Sequence, residues 1–144
     1  MADTFQLEIA TPERLFIDEQ VAMAELPGKN GYFGVLPGHA PLLSALGPGA
    51  LSFEGGTGGR QVLVVDGGFV EVFENHVRVL ADSAEFARDI NGDAARRELE
   101  EANQKLKSAH ETEESEAALR QMQRAQSRVD AKSRESGSGG GTPS

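Results

Sequence analysis

Residues 61–81 read QVLVVDGGFVEVFENHVRVLA, and the fold class is decided there. Val62 to Val65 is apolar at every position, the mark of a strand covered on both faces. Asp66 and Gly67 supply the positive-φ chemistry of a tight turn, after which Phe69 to Phe73 forms a second strand. Glu74 and Asn75 turn the chain again, into a third strand at Val77 to Ala81. Over the first 85 or so residues, short apolar runs broken by Gly, Pro and Asn are how an antiparallel sandwich or barrel reads in sequence.

The same grammar extends toward the N-terminus. Gly55 to Gly59 makes a flexible hairpin tip between Ala50–Phe53 and Gln61–Val65. Phe5, Leu7 and Ile9 alternate with Gln6 and Glu8, giving one buried and one wet strand face. Val21, Met23 and Glu25 lie near a strand that closes on a turn at Pro27-Gly28. Toward the C-terminus the period changes at about Ile90, because Ala95, Leu99, Ala102, Leu106 and Ala109 recur at helical steps. Asn91 is placed as its N-cap, with Asp93 in the first turn. Ala118, Met122, Ala125 and Val129 repeat the pattern within residues 113–133, and the acid-rich connection 110–114 is short enough for an antiparallel pair. Both stripes are narrow and rich in alanine, which predicts a hairpin that is weakly held and able to open. The expected fold is an all-β sandwich over residues 1–86, followed by a C-terminal α-helical hairpin over 87–134 and a flexible Gly/Ser tail over 135–144.

Composition excludes several chemistries. Hydrophobic residues make up 38% of the 144, and no apolar run approaches the roughly 18 residues that suggest a membrane span. The start, MADTFQLEIATPERL, shows neither a basic n-region nor an apolar h-region, so a cytoplasmic location is expected. There is no cysteine, and His39, His76 and His110 are too widely spaced for a recognisable metal motif, so no metal or cofactor is expected. Residues 1–89 carry five Lys/Arg against thirteen Asp/Glu, whereas 90–144 carry nine against ten. An acidic sandwich repels phosphate backbones, so nucleic acid is not the expected partner. Gly28-Lys29-Asn30 lacks the earlier glycine and the hydroxyl of a phosphate-binding loop. Ser44 with His39 or His76 as base would make a small hydrolase, but no nucleophile elbow surrounds Ser44, and the abundant carboxylates read as a solvated face. A free-standing sandwich that binds a small ligand, with a helical dimerisation tail, is the other alternative.

Residues 31–43, GYFGVLPGHAPLL, hold a defined path with two glycines and two prolines and place His39 on a loop, exposed either to bond nearby backbone or to meet a partner. This stretch is similar to the strand-loop signature of the ATP synthase epsilon (mitochondrial delta) chain family. Gly67-Gly68-Phe69-Val70-Glu71-Val72 with Asn75, Val77, Val79, Leu80, Ala81 and Glu85 resembles the second signature of that family, and with the helical pair the resemblance spans residues 4–134. It implies a ten-stranded sandwich followed by two helices, in a non-catalytic rotor-stalk subunit that couples the gamma subunit to the c-ring during proton-driven ATP synthesis. Membrane association would come through the complex only, on the cytoplasmic face of a bacterial plasma membrane. Lys29, Asn30, Gly31 and Tyr32 match the ring-facing loop, and His39 falls close to the gamma contact.

Arg120, Arg124, Arg128 and Lys132 form an i,i+4 row, and like charges so spaced cost a helix about 0.2–0.5 kcal/mol per pair, which an acidic partner would relieve. A solvated face, eased by Glu116, is the plainer reading. The resemblance implies that the second helix swings out to meet an acidic segment of the beta subunits, beside alpha, and so restrains ATP hydrolysis. Some relatives bind ATP through Ile/Leu-Asp-x-x-Arg-Ala at the first helix. Here those positions read Ile90-Asn91-Gly92-Asp93-Ala94-Ala95, without the carboxylate and the arginine, although Arg124 and Arg128 match second-helix arginines. ATP binding is therefore expected to be millimolar or weaker, no stronger than about −4 kcal/mol.

Overall fold

The computed structural model describes residues 3–55 and 59–138. Eight strands come first: β1 (Phe5–Ala10), β2 (Leu15–Val21), β3 (Met23–Gly28), β4 (Gly31–Val35), β5 (Leu42–Ala45), β6 (Gly49–Glu54), β7 (Arg60–Phe73) and β8 (His76–Phe86). A 3₁₀ turn at Ala87–Asp89, not foreseen from the sequence, leads into α1 (Gly92–Ser108) and α2 (Thr112–Ser138). The architecture is a β-sandwich followed by two helices.

All eight strands share one hydrogen-bonded sheet, in the order β2-β1-β8-β7-β6-β3-β4 with β5 also on β7. The sheet folds over on itself because β7 and β8, at 14 and 11 residues, each serve two layers. Residues 60–65 of β7 pair with β6, and Phe69–Val72 pair with β5. Likewise β8 starts beside β1 and ends along the first half of β7. Ten strands were expected; counted by layer the two long strands each appear twice, so eight continuous strands fill those places among the described residues.

The fold-over lies at Asp66–Gly68, and it corrects the tight turn expected there. The β7–β8 register is the same from Leu63↔Phe86 to Asp66↔Ser83 and from Gly68↔Ala81 to Phe73↔His76, with only Gly67 unpaired between, so the chain bends without reversing. Gly67 and Gly68 take φ of 70° and 94°. A Cβ on Gly68 would collide with the Leu80 carbonyl oxygen, and one on Gly67 with the Asp82 carboxylate. The positive-φ chemistry is there, but it creases a paired ribbon. The reversal itself comes at Glu74–Asn75, with φ of 44° and 59°, the geometry of a primed two-residue hairpin turn. A smaller correction falls on the β3–β4 turn, which sits at Lys29–Asn30 because Gly28 and Gly31 still pair.

Phe5, Leu7, Ile9, Leu26, Val35, Leu51, Phe53, Leu63, Val65, Val70, Val72, Val77 and Val79 fill the interior of the sandwich. The helices lie over the outer face of β6 and β7, where Ala50, Val62, Val64, Ala87, Ile90, Ala95 and Ala131 make a second, smaller core. The all-apolar run is thus explained: Leu63 and Val65 face the interior while Val62 and Val64 face the helices. The Asn91 side chain caps α1 by accepting from the Ala94 N–H at 3.0 Å. The fully packed positions of the hairpin stripes are alanines, Ala95, Ala102, Ala118, Ala125 and Ala131, with Leu99, Met122 and Val129 only part-buried. α2 continues to Ser138, beyond residue 133 and into the expected tail. The rest of that tail, 139–144, and positions 56–58 of the expected hairpin tip lie outside the described residues.

Candidate functional site

On the sandwich layer away from the helices, strand register brings four apolar residues into one row. Ala45 pairs with Phe69, Phe69 with Leu80, and Leu80 with Ala10, across β5, β7, β8 and β1. Because side chains alternate along each strand, this row points away from the interior, opposite buried Val70 and Val79. Phe69 is 55% exposed, Leu80 46%, and Leu43, two residues before Ala45 on the same face, 73%. In the next row Leu43 pairs with Glu71, and Arg78 reaches Glu8 at 3.6 Å and Glu71 at 3.8 Å. An apolar stripe with a polar margin is the composition of a protein-protein contact. Sequence reasoning missed it, although Phe69 and Leu80 are apolar where alternation with the buried valines calls for polar residues.

Lys29, Asn30 and Gly31 are exposed at one end of β4, and His39 follows its other end. Five residues at about 3.3 Å each separate the two places, so they do not form one site. The Lys29 N–H donates to the Ala45 carbonyl at 2.9 Å, which sets the Lys29–Asn30 turn beside the apolar row. Tyr32 faces elsewhere: its hydroxyl accepts from the Ala50 N–H at 2.9 Å, and the Arg134 guanidinium of α2 lies 5.1 Å over its ring. Arg134 also pairs with Glu25 at 3.3 Å.

His39 is half-buried rather than exposed, and its Nδ1 meets the Ala40 carbonyl at 2.7 Å. Its N–H donates to the Leu36 carbonyl at 3.1 Å, closing a Leu-Pro-Gly-His turn in which Gly38 takes φ of 84°. Asn75 anchors that turn: its Oδ1 accepts from the Gly38 N–H at 2.9 Å, and its Nδ2 donates to the Thr4 carbonyl at 2.6 Å. One asparagine therefore ties together the two sequence stretches singled out above. The Ser44 hydroxyl donates to the Ala45 carbonyl at 3.2 Å, so backbone engages both members of the considered serine-histidine pair.

The basic row of α2 meets acids, but they belong to this chain. Arg124 Nε stands 3.4 Å from Asp66 Oδ2. Arg128 forks over Glu85, with Nε and Nη2 each at 3.1 Å, and its Nη1 lies 2.5 Å from Glu98 of α1. These hydrogen bonds, the one to Glu85 foremost, raise the Arg128 pKa above its ordinary value against the opposing effect of burial. Lys132 pairs along the helix with Glu135 at 3.5 Å, while Arg120 is exposed. The acidic partner expected from outside is thus supplied internally in this conformation.

A groove of about 400 Å³ opens between the helices and β8, lined by Glu85, Glu98, Glu101, Gln121, Arg124 and Arg128. Its two guanidiniums are already paired and three carboxylates face it, an environment that repels a triphosphate. Asn91 is spent on capping α1, and Ala94 has only a methyl group to offer. Among the described residues, no three His, Cys, Asp or Glu side chains are grouped to hold a metal ion, and no helix is long and apolar enough to cross a membrane.

Residues 4–87 match the family model described as ATP synthase, Delta/Epsilon chain, beta-sandwich domain. The chain is 43% identical over 129 residues to the ATP synthase epsilon chain of Nitratidesulfovibrio vulgaris, covering 90% of this chain and 96% of that one. It is 44% identical over 120 residues to the ATP synthase epsilon chain of Rhodospirillum rubrum, covering 82% and 89%. A chain in the cryo-EM structure of the Euglena gracilis mitochondrial ATP synthase superposes with a TM-score of 0.81 at 23% identity, over 91% of this chain and 82% of that one.

Proposed function

We propose, from the premise that the chain belongs to the ATP synthase delta/epsilon chain family, that it is a non-catalytic central-stalk subunit of a proton-driven F-type ATP synthase. The observation that carries this reading is the likeness to an ATP synthase epsilon chain over 90% of the chain, too long to be confined to the sandwich. The sandwich docks the gamma subunit through Leu43, Ala45, Phe69 and Leu80, whose exposed apolar surface has a charged margin suited to a protein partner. The adjoining turn, Lys29 to Gly31, faces the polar loops of the c-ring, with Tyr32 at its border. His39 contributes indirectly, by shaping the Leu36–His39 turn at the opposite end of β4. The helices, expected over residues 87–134 and running on to Ser138, form a unit of their own. When α2 leaves the sandwich, Arg120, Arg124, Arg128 and Lys132 meet an acidic segment of the beta subunits, beside alpha, and restrain ATP hydrolysis. The protein then works at the cytoplasmic face of a bacterial plasma membrane, held there by the complex. No residue of this chain makes or breaks a bond in that role.

A tag at the C-terminus, gentle solubilisation of source membranes and identification of what co-purifies test the reading. Recovery of alpha, beta, gamma and c subunits with the tagged chain is expected. Recovery of the chain alone, from an extract that holds intact ATP synthase, would contradict it and favour a free-standing binding protein.

A further inference from the structure

The basic residues of α2 are not held equally. Arg120 is exposed, with no ion pair among the described residues. The side chain of Arg124 is 65% exposed and makes one ion pair among the described residues, to Asp66 at 3.4 Å. That of Arg128 is 23% exposed, forks over Glu85 with two bonds of 3.1 Å, and reaches Glu98 at 2.5 Å. Arg128 thus fastens α2 to the sheet and to α1 together, while Arg134, beyond the basic row, holds the far end of α2 to Glu25 of β3 at 3.3 Å. The groups facing Arg128 are Glu85 from β8, Glu98 and Glu101 from α1 and Asp66 from β7, with Arg124 as the cationic neighbour. The surrounding stripe is alanine and contributes little apolar burial, so the charged contacts weigh heavily in docking.

We infer that Glu85 and Glu98 occupy, inside this chain, the place that an acidic partner takes when α2 is released, and that release proceeds in order from Arg120 to Arg128. This rests on the proposed role of the helices in restraining hydrolysis. The partner is a protein segment whose carboxylates recur about every 6 Å, the rise of four helical residues. Arg120 makes the first capture while the helix is still docked. Arg124 exchanges its one long contact next. Arg128 exchanges last, because its fork fits a carboxylate at two points and must be matched before it opens. Glu85 and Glu98 therefore set how readily the subunit changes state, although neither touches the partner.

The chain has no cysteine, so Ser83→Cys with Gln123→Cys takes two spin labels cleanly, and pulsed paramagnetic resonance on the full chain reads their separation. Glu85→Gln keeps shape and removes charge. It is expected to raise the ratio of long-distance to short-distance molecules by about tenfold or more. Arg128→Lys keeps the charge, loses the fork and should shift the ratio less. Arg120→Gln should leave the distances unchanged while weakening, at least about threefold, the binding of a helical peptide with Glu at every fourth position. Unchanged distances in Glu85→Gln, or separation of the labels in Arg120→Gln, would overturn the ordered clamp whatever the enzyme does. Assembled into the enzyme, Glu85→Gln should lower the rate of ATP hydrolysis. Longer distances with an unchanged rate would overturn the hand-over and the restraint on hydrolysis, while the internal clamp would stand.

Discussion

At Gly68 the absence of a side chain lets the β7–β8 ribbon crease, with φ at 94° and the Leu80 carbonyl where a Cβ would go. Gly68→Ala is expected to lower stability by at least about 2 kcal/mol, read as a reduced urea midpoint. An unchanged midpoint would show that the ribbon can crease elsewhere. Asn75 has two duties, a positive φ of 59° and hydrogen bonds to Gly38 and Thr4. Asn75→Ala should cost about 1–3 kcal/mol, and Asn75→Gly, which restores the backbone freedom but not the bonds, should recover only part of it. Full recovery by glycine would mean that the side-chain bonds contribute nothing. At Asp66–Gly68, residue chemistry and shape came apart: the demand for positive φ was legible, but whether it served a reversal or a crease depended on β8 pairing in one register on both sides of Gly67. No local signal carries that information.

At the scale of elements, the two halves of the molecule differ in how they are held. The sandwich interior is built from Phe, Leu, Ile and Val, each contributing about 1.5–3 kcal/mol when buried, whereas the packed positions of the hairpin are alanines. Amide hydrogen exchange should therefore find α1 and α2 opening far more often than β7 and β8, with protection at least about tenfold lower. Equal protection would mean that the hairpin unfolds only with the sandwich. This contrast was legible in the sequence, because period and residue size are local properties: the helical stripes as far as Leu106 in α1, the Asn91 cap and the doubly covered Val62–Val65 strand followed from spacing, whereas Ala109, expected in the first stripe, is the extended C-cap of α1. The Phe69–Leu80 row was not legible, since it exists only through the register of β1, β5, β7 and β8. The pairing of Arg124 and Arg128 with Asp66 and Glu85 was hidden likewise, because sequence showed the repulsion along α2 but not what the helix lies against.

At the scale of the whole molecule, the apolar row and the basic row occupy different surfaces, so the proposed docking and the proposed restraint can be separated. Phe69→Glu lies on an exposed strand face and should change stability by no more than about 0.5 kcal/mol, yet it should abolish co-purification with the gamma subunit. Retained co-purification would move the docking surface elsewhere. Calorimetry with ATP should find a dissociation constant of about a millimolar or weaker, since the groove presents carboxylates and occupied arginines; a micromolar value would contradict that. The most direct test of the account compares enzyme reconstituted with the full chain and with a chain ending at Glu111, which lacks α2. Intact assembly with a raised rate of ATP hydrolysis is the predicted result. An unchanged hydrolysis rate, or loss of assembly, would contradict the division of labour between sandwich and hairpin.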